Sequence, residues 1–563
     1  MALGVREVEM AGNVAGTGVS VGVAAGPVAR LAAPTALPAD SGPEPDVAEA
    51  MDRARRALEA VASELDARAA QAKGPSADVL FAQSMMPRDP ALADRVGKAL
   101  DSGRSLPHAI AQAFGVFRTS LEAAGGYLAE RAADLDDLRN RAVAELLGLP
   151  MPGIPDPGHP IVLVATDLAP ADTATLDPAR ILAIITEQGG PTSHTAILAK
   201  SLGIPAIVGC APAAGLADGV QVLVDGGAGT VVVDPDPAEV KRAMAQADER
   251  ARALAASKGP GRTSDGKAVA LLVNLGAQSE LSAAASADSE GVGLLRTEFL
   301  YLNRTTEPTV AEQTRSYAAV FAAFAGRKVV VRTLDAGADK PLAFVDHGDE
   351  PNPALGVRGL RLAGSHPRML DNQLTAIAAA RADNDADVWV MAPMVSTPAE
   401  ARDFSELAHS HGLPVAGTMV EVPAAALRAS RLLAECDFAS IGTNDLGQYT
   451  FAADRMASAL GELLDPWQPA LLELVQRTAE AGRAIGKPVG VCGEAASDPL
   501  LALVLVGFGV TSLSMAPAAV PAVRQALAAH TEADCAELAD LALAAADAAD
   551  ARSAVATRCA VPS

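Results

Sequence analysis

The stretch FASIGTND, residues 438–445, is an apolar run that ends in an amide and a carboxylate, Asn444 and Asp445. Runs of the same kind recur from residue 268 onward, with helical segments between them. The eight runs are AVALLVN (268–274), GVGLLRTE (291–298), KVVVRTLD (328–335), DVWVMAPM (387–394), PVAGTMVE (414–421), FASIGTND (438–445), PVGVCGE (488–494) and TSLSMAP (511–517). Eight strand–helix units predict a (β/α)8 barrel, whose chemistry lies at the C-terminal ends of the strands.

The predicted strand ends share one property, a polar or reactive side chain. They carry Asn274, Arg296, Glu298, Arg332, Asp335, Met394, Glu421, Asn444, Asp445, Cys492, Glu494 and Ser514. Each alone could be a salt-bridge partner or a helix cap, but the repetition favours a shared site. Arg296 and Arg332 could grip one phosphate through forked hydrogen bonds, and Arg358 and Arg455 could add further contacts.

Two of these strand ends also suit a metal. Glu421 and Asp445 offer hard oxygen ligands, which together with ligand oxygens and water suit Mg²⁺; the alternative is an ordinary capped loop. Asn444 could orient the ligand through its amide. Cys492 is either a small buried hydrophobe or a proton donor or acceptor at the same rim.

The first half of the chain has a different sequence pattern. Residues 45–147 show helical periodicity, punctuated by Pro87 and Pro107, which predicts a bundle or a hairpin pair. GVSVGVAAGPVARL (18–31) predicts two short strands, and β-like runs return after the proline-rich segment at 150–160. A charged helix bounded by proline and glycine predicts a linker before the barrel.

The stretch GGPTSHTAI (189–197) places His194 at the start of a predicted helix. Thr192 or Ser193 can cap that helix, whose positive N-terminus disfavours the imidazolium form. The neutral ring could then act as a nucleophile, and the same helix end would stabilise a phosphate on it. The alternative is a surface histidine beside a helix start.

Composition excludes several classes of protein. The formal net charge of −23 argues against nucleic acid or an anionic membrane as partner. Five scattered cysteines favour a reducing cytoplasm over a disulfide framework. No uncharged apolar run is long enough to cross a bilayer, and the glycine-rich start is not typical of a signal peptide.

Several long motifs carry a family resemblance. GGPTSHTAILAKSLGIPAIVG resembles the phosphohistidine signature of enzyme I of the phosphoenolpyruvate (PEP):sugar phosphotransferase system. GVGLLRTEFLYLNR, VVVRTLDAGADK, NPALGVRGLRL, TMVEVPAAA, DFASIGTNDLGQYTFAADR and VGVCGEAASD resemble its PEP-binding barrel. The resemblance covers nearly the whole chain. It implies a multidomain α/β protein: a swivelling phosphohistidine α/β domain with an inserted α-helical domain, followed by a C-terminal (β/α)8 TIM barrel.

The resemblance also implies domain limits, which we state as expectations. Residues 1–40 would hold an extension and the first strands of the phosphohistidine domain, and residues 148–235 the rest of it. The phosphocarrier-binding helices would occupy 41–147, and a linker helix 236–262. The barrel would occupy 263–550, with a C-terminal tail at 551–563.

The implied reaction begins with PEP bound on the barrel with Mg²⁺. His194 attacks the phosphorus through Nε2, pyruvate leaves, and the phosphoryl group passes to the histidine phosphocarrier protein. By motif, Arg296, Arg332, Asn444, Asp445 and Arg455 hold PEP, with Arg358 as a less certain contact. Glu421 and Asp445 ligate Mg²⁺, and Cys492 protonates the enolpyruvate carbon. The resemblance further implies a cytoplasmic homodimer that pairs through the barrel.

The chain departs from the family pattern at Pro191, Ala338, Gly447 and Ala516, none of which is a predicted ligand. A non-catalytic regulator with the same fold remains an alternative. Another is a related PEP-using enzyme with a swivelling histidine, such as pyruvate phosphate dikinase or PEP synthase. Those enzymes need a nucleotide-binding domain, and no GxxxxGK[ST] loop occurs here. A nitrogen-regulatory paralogue would carry an added N-terminal sensory domain.

Overall fold

The fold is taken from a computed structural model, which describes most of the chain. The described residues are 13–31, 37–71, 80–81, 83–124, 132–149, 153–155, 157–168, 176–190, 193–302, 304–346, 348, 350–455 and 458–560. The chain divides into two compact units, Met1–Glu249 and Arg250–Ser563. Along the described residues, no helix combines the length and the apolar character needed to cross a membrane.

The helices of the first unit form a bundle. They are α1 (Val47–Gln71), α2 (Pro90–Asp101), α3 (Leu106–Ala124) and α4 (Ala132–Leu147). Helix α2 begins at Pro90, because the Asp89 side chain accepts from the Ala91 amide at 2.8 Å and Pro90 occupies the first turn. Apolar residues at helical spacing, such as Val61 and Leu65 on α1, meet Val96 and Phe114 in one core. The predicted helical segment is therefore a packed bundle.

The same unit contains a mixed sheet interrupted by those helices. Its strands are β1 (Asn13–Ala15), β2 (Thr17–Ser20), β3 (Val23–Arg30), β4 (Ile161–Ala165), β5 (Ile181–Thr186), β6 (Ala206–Val208), β7 (Gln221–Asp225) and β8 (Thr230–Val233). Their order is β1-β8-β7-β3-β4-β5-β6-β2, and β3 to β6 run parallel. Alternate residues of β4 enter two cores, Val162 and Val164 one and Leu163 and Ala165 the other. The bundle is inserted between β3 and β4, as predicted.

Two further helices complete this part of the chain. Helix α5 (His194–Leu202) follows the histidine loop, and Gly203 ends it in the left-handed conformation. Helix α6 (Pro237–Ala256) lies in the predicted linker and buries none of its residues.

The second unit contains a closed barrel. Its strands are β9 (Ala270–Leu275), β10 (Gly291–Leu295), β11 (Lys328–Arg332), β12 (Asp387–Ala392), β13 (Ala416–Val420), β14 (Phe438–Gly442), β15 (Val489–Cys492) and β16 (Ser512–Met515). Every neighbouring pair is parallel, and β16 pairs with β9 to close the ring. Each of the eight predicted runs contributes one strand, which confirms the (β/α)8 barrel.

Helices surround the barrel. They are α7 (Leu281–Ser286), α8 (Val310–Ala323), α9 (Leu362–Ser365), α10 (Pro367–Ala382), α11 (Pro398–Ser410), α12 (Pro423–Leu427), α13 (Ala429–Leu432), α14 (Thr443–Phe451), α15 (Pro469–Ile485), α16 (Pro499–Gly507), α17 (Val520–Ala529), α18 (Glu532–Ala544) and α19 (Ala548–Ala560). Capping boxes headed by Thr309, Thr397 and Thr531 start α8, α11 and α18. Helix α19 covers most of 551–563, and its Ala551 and Val555 are buried in the core between strands and helices.

Candidate active site

The C-terminal end of the barrel collects charged side chains from several strands. Arg332 is the last residue of β11, and Asp335 lies three residues beyond it. Glu421 directly follows β13, and Asp445 lies in the first turn of α14, directly after β14. All four side chains are buried. Because burying isolated charges is costly, such a set is stable only if its members pair with one another.

Asp335 is the centre of this network. It is fully buried and accepts from the Arg358 guanidinium at 2.8 Å and 3.1 Å. Arg332 Nη1 and Lys340 Nζ lie 3.2 Å and 3.1 Å from its Oδ2. Burial by itself would raise the pKa of Asp335, but Arg332, Lys340 and Arg358 hold that pKa well below its ordinary value. Asp335 is therefore ionised at neutral pH and fixes both arginines.

Arg332 has bonding capacity left over. Its Nη2 pairs with Glu298, and its Nη1 lies 3.7 Å from Glu421 Oε1. Among the described residues, its buried Nε and the buried Oε2 of Glu298 have no hydrogen-bond partner. A buried donor without a partner costs about 1–3 kcal/mol, so a ligand oxygen would be stabilised there.

Glu421 is held in a strained corner. Its Oε2 accepts from the Met394 amide at 2.9 Å, and Met394 adopts the left-handed φ of 58°. Gly442 lets the carboxylate approach, because a Cβ at that position would lie 2.8 Å from Glu421 Cγ. Burial, followed by the neighbouring Asp445 and Asp335 carboxylates, raises the pKa of Glu421 to about 8.

Asp445 is shared between two arginines. Its Oδ1 lies 3.3 Å from Arg358 Nη1, and its Oδ2 lies 3.8 Å from Arg455 Nη1. Arg358 is fully buried and also bonds Asp339 and Tyr449, whereas the Arg455 side chain is about one-third exposed. Arg358 is thus a structural cation here, and Arg455 keeps a face toward solvent.

Arg296 and Asn444 are the exposed members of the predicted set. Arg296 directly follows β10. The Asn444 Oδ1 accepts from the Glu494 amide at 3.3 Å, across the turn made by Gly493. Gly493 has a φ of +129°, and a Cβ there would lie 2.6 Å from Thr443 Oγ1. The glycine therefore permits the contact between Asn444 and the end of β15.

Cys492, the last residue of β15, lies at the inner end of the site. Its thiol is 2% exposed, receives a hydrogen bond from Ser440 Oγ at 3.3 Å and faces the Ile441 carbonyl oxygen at 3.6 Å. Burial raises the pKa of Cys492 to about 11. The thiol is therefore protonated at neutral pH.

Gln373 of α10 supports the rim from behind, and no sequence motif indicated it. Its side-chain oxygen accepts from the Leu334 amide at 2.9 Å, and its side-chain nitrogen donates to Thr297 and Tyr317. Thr297 in turn donates to the Arg332 carbonyl oxygen at 3.0 Å. This buried chain of hydrogen bonds fixes the backbone between Arg332 and Asp335. A lone glutamine in an amphipathic helix gives no signal that would reveal it.

The structure confirms the capped helix at the histidine loop. Helix α5 begins at His194, and Ser193 Oγ accepts from the Ala196 amide at 3.3 Å. Thr195 donates to Asp167 at 3.3 Å. Pro191, Thr192 and the His194 side chain lie outside the described residues. The predicted helix terminus is present at the position the phosphohistidine hypothesis requires.

Comparison with known proteins defines the class. Residues 250–532 match the family model for the PEP-utilising enzyme, PEP-binding domain, and residues 157–229 that of the mobile domain. Residues 15–131 match the N-terminal domain of PEP-utilising enzymes. The chain thus contains three domain types of the PEP-utilising enzymes.

Individual relatives narrow this class. A phosphoenolpyruvate-protein phosphotransferase of Streptomyces coelicolor is 53% identical over 92% of this chain and 94% of its own length. A protein of the same name from Haloferax volcanii is 41% identical over 80% of this chain and 82% of its own. One from Bacillus subtilis is 36% identical over 89% of this chain and 91% of its own length. The chain belongs to the phosphoenolpyruvate-protein phosphotransferase family, the enzymes I.

Proposed function

We propose that this protein transfers the phosphoryl group of PEP to His194 and then to the histidine phosphocarrier protein of a sugar phosphotransferase system, releasing pyruvate. The observation that carries the proposal is the buried charge network around Asp335 and Arg332, which leaves the Arg332 Nε available as a donor at the C-terminal end of the barrel. Phosphoryl transfer depends mainly on positioning and on neutralising charge, which such a network supplies.

Arg296, Arg455 and Asn444 would contact PEP from the solvent side, since each is at least partly exposed at the rim. Arg332 would contact it from the inner side through its unpartnered Nε. PEP carries a phosphate and a carboxylate, and forked guanidinium groups match both. Arg358, which is fully enclosed by carboxylates, would orient Asp335 and Asp445 instead of touching PEP.

The donor set fits Mg²⁺. Among the described residues, no three His, Cys, Asp or Glu side chains form a metal cage, yet Mg²⁺ commonly takes one or two carboxylates together with substrate oxygens. Glu421 and Asp445 are such a pair, and the pKa of Glu421 is raised first by burial and then by the neighbouring Asp445 and Asp335 carboxylates, whose charge a cation would offset. When bound, the ion would neutralise charge on the phosphate oxygens.

Side chains of this protein can supply both the nucleophile and the proton that the reaction needs. A ring nitrogen of His194 forms a bond to phosphorus as the bond from phosphorus to the enol oxygen breaks. The enolate that leaves becomes pyruvate when its CH₂ carbon receives a proton. The Cys492 thiol retains its proton at neutral pH because of burial, as this donor must. The N-terminus of α5 would stabilise the phosphohistidine through its free amides.

The helical bundle offers a surface for the phosphocarrier. Phe81 and Met85 lie four residues apart, and each is more than half exposed. Large apolar side chains exposed together favour a protein partner. We propose that the carrier docks here. We further propose that the protein forms a homodimer through the barrel, to which the exposed Leu355 and Val357 would contribute. We also propose a cytoplasmic location.

Incubation with labelled PEP and Mg²⁺ tests the enzymatic role. We expect acid-labile, alkali-stable label on the wild type and on His159→Ala, whose histidine is exposed in the same unit, but none on His194→Ala. Added phosphocarrier protein should then receive the label. A wild type that takes no label would favour the non-catalytic regulator, and labelling that requires a nucleotide would favour a dikinase-type enzyme.

The docking surface has a separate test. Phe81→Ser should lower the rate of transfer to the carrier about tenfold or more, since apolar anchors of this kind carry much of an interface's binding energy. Labelling of His194 by PEP should be unchanged. Val21→Ser, which alters another exposed apolar residue of the same unit, is the matched control. Equal transfer rates for both variants would place the carrier elsewhere.

A further inference from the structure

The N-terminal end of the barrel contains a cavity that the proposed reaction does not use. Its volume is about 170 Å³, and strand starts and inward-facing small residues line it. Ala270, Gly293 and Gly490 are small lining residues, and a Cβ at Gly293 or Gly490 would lie 2.5 Å from Ser514 Oγ or 2.4 Å from Ser512 Oγ, so the two glycines give the serine side chains their room. A cavity of this size in a close-packed interior is large enough for a compact organic molecule.

One wall of the cavity is apolar and aromatic. Trp389 and Phe438 lie with ring centroids 4.8 Å apart at an interplanar angle of 54°, and Val330 belongs to the same apolar cluster. Apolar walls of this kind favour a ligand with a hydrocarbon body.

The cavity also contains one cation, Lys328. Its Nζ lies 3.5 Å above the Trp389 ring centroid. Two carboxylates, those of Asp387 and Glu290, act on it electrostatically, and each accepts hydrogen bonds from other groups. Asp387 accepts from Trp389 Nε1 at 3.0 Å, and Glu290 accepts from the backbone amides of Gly261 and Leu271. Within the described part of the chain, no carboxylate oxygen lies within 4.0 Å of this ammonium. Lys328 therefore has no direct ion-pair partner among the described residues, and its ammonium can donate hydrogen bonds to a ligand.

Hydroxyl groups complete the lining. Thr511 lies just before β16, Ser512 and Ser514 lie on that strand, and Ser440 lies on β14. Ser440 is the residue whose hydroxyl donates to the Cys492 thiol. The cavity therefore reaches from the N-terminal mouth to the group that supports Cys492 from below.

We propose that this cavity binds a compact organic monocarboxylate, with the carboxylate on Lys328 and the apolar body against Trp389 and Phe438. One ammonium, without an arginine fork or a helix N-terminus among the lining residues, matches a single negative charge better than a phosphate. The site is distinct from the PEP site, which lies at the opposite ends of the same strands.

The test uses the full-length protein labelled with 5-fluorotryptophan. The chain has two tryptophans, so Trp389 gives one ¹⁹F resonance and Trp467, packed elsewhere in the barrel wall, gives an internal reference. Benzoate is the probe, and benzyl alcohol is its neutral counterpart. We expect a saturable shift of the Trp389 resonance with benzoate only, and a steady Trp467 resonance.

Variants complete the experiment. Lys328→Met should weaken benzoate binding at least tenfold, and Ser512→Ile, which fills the cavity, should abolish it. Lys267→Met removes a lysine just before β9, where it pairs with Glu532, and should bind as the wild type does. Equal shifts with benzyl alcohol, a non-saturating response, or unchanged binding by Lys328→Met would each overturn the proposal. None of these readouts depends on phosphoryl transfer.

Discussion

Strand β11 carries a cation at each end, and the two cations have opposite surroundings. Lys328 at its start lies over an aromatic ring, whereas Arg332 at its end lies among Glu298, Asp335 and Glu421. The two residues share the inward face of the strand, since side chains alternate with period 2. The position along the strand therefore decides the partners.

The difference arises from the connections. Strand ends lead into loops and helix starts that bring carboxylates from several units to one rim, as Glu421 and Asp445 show. At the opposite end, the acidic groups near Lys328 are used by backbone amides and by an indole. The C-terminal end of the barrel thus contains a network of paired charges, and the N-terminal end contains a mostly apolar cavity with one cation.

The largest expected effect comes from Arg332. Arg332→Met should lower the initial rate of His194 labelling from PEP by roughly 10²–10³-fold, as loss of one positioned donor does in other active sites. Arg327→Met is the control, because Arg327 lies beside the start of the same strand and packs on Phe324. A rate for Arg332→Met within threefold of the control would mean that Arg332 is a structural cation only.

The next effect concerns stability. Asp335→Asn leaves two buried arginines short of charge compensation, which should cost about 3–5 kcal/mol of barrel unfolding free energy. Urea unfolding followed through buried Trp467 measures it. Asp403→Asn, which alters an exposed pair with Arg402, should cost less than about 1 kcal/mol. Equal midpoints would refute the central role of Asp335.

The same variant gives a pH prediction. The pKa of Asp335 is lower in the folded state than its ordinary value of 3.8, so its contribution is fully present above that value. It is lost as pH falls below 3.8 toward the folded pKa. The stability gap between the wild type and Asp335→Asn should therefore shrink in strong acid, below pH 3.8. A gap that already closes near pH 6 would contradict the lowered pKa.

A smaller effect should follow from Gln373. Gln373→Leu leaves the Leu334 amide and the Thr297 hydroxyl without their buried partner, at a cost of about 1–3 kcal/mol. Because the Arg332 backbone then shifts, kcat should fall about tenfold with little change in the KM for PEP. Tyr317→Phe removes only one of the three contacts and should show a weaker effect. Loss of stability with an unaltered kcat would limit Gln373 to a packing role.

The sequence predicted the barrel well for a physical reason. Each of the eight runs combines apolar side chains with flanking helical segments, and that pattern is local. The polar strand ends also followed from local position, so Arg332, Glu421, Asp445 and Cys492 could be named as candidates. Their convergence on one rim follows from closure of the barrel.

The partners of these residues could not be predicted in the same way. The sequence identified Asp335 as a polar residue at a strand end. Its contact with Arg358 depends on the course of the intervening loop, which no sequence pattern predicts. Burial separates Arg358, enclosed by carboxylates, from Arg455, which keeps solvent access. No sequence pattern distinguishes Lys328 from other lysines at strand starts, because its contact with the Trp389 ring arises only in the folded barrel. Such roles depend on three-dimensional neighbours.

The smallest effect tests the other end of β11. Lys328→Met removes a cation–aromatic contact, worth about 0.5–2 kcal/mol, but also relieves the desolvation that lowers the pKa of Lys328. The two changes oppose each other, so the free energy of unfolding measured in urea should change by less than about 1 kcal/mol, in contrast to Asp335→Asn. A loss as large as that of Asp335→Asn would show that Lys328 has a buried anionic partner in the folded protein. The two ends of the strand would then be alike, and the cavity would have no charge to offer a ligand.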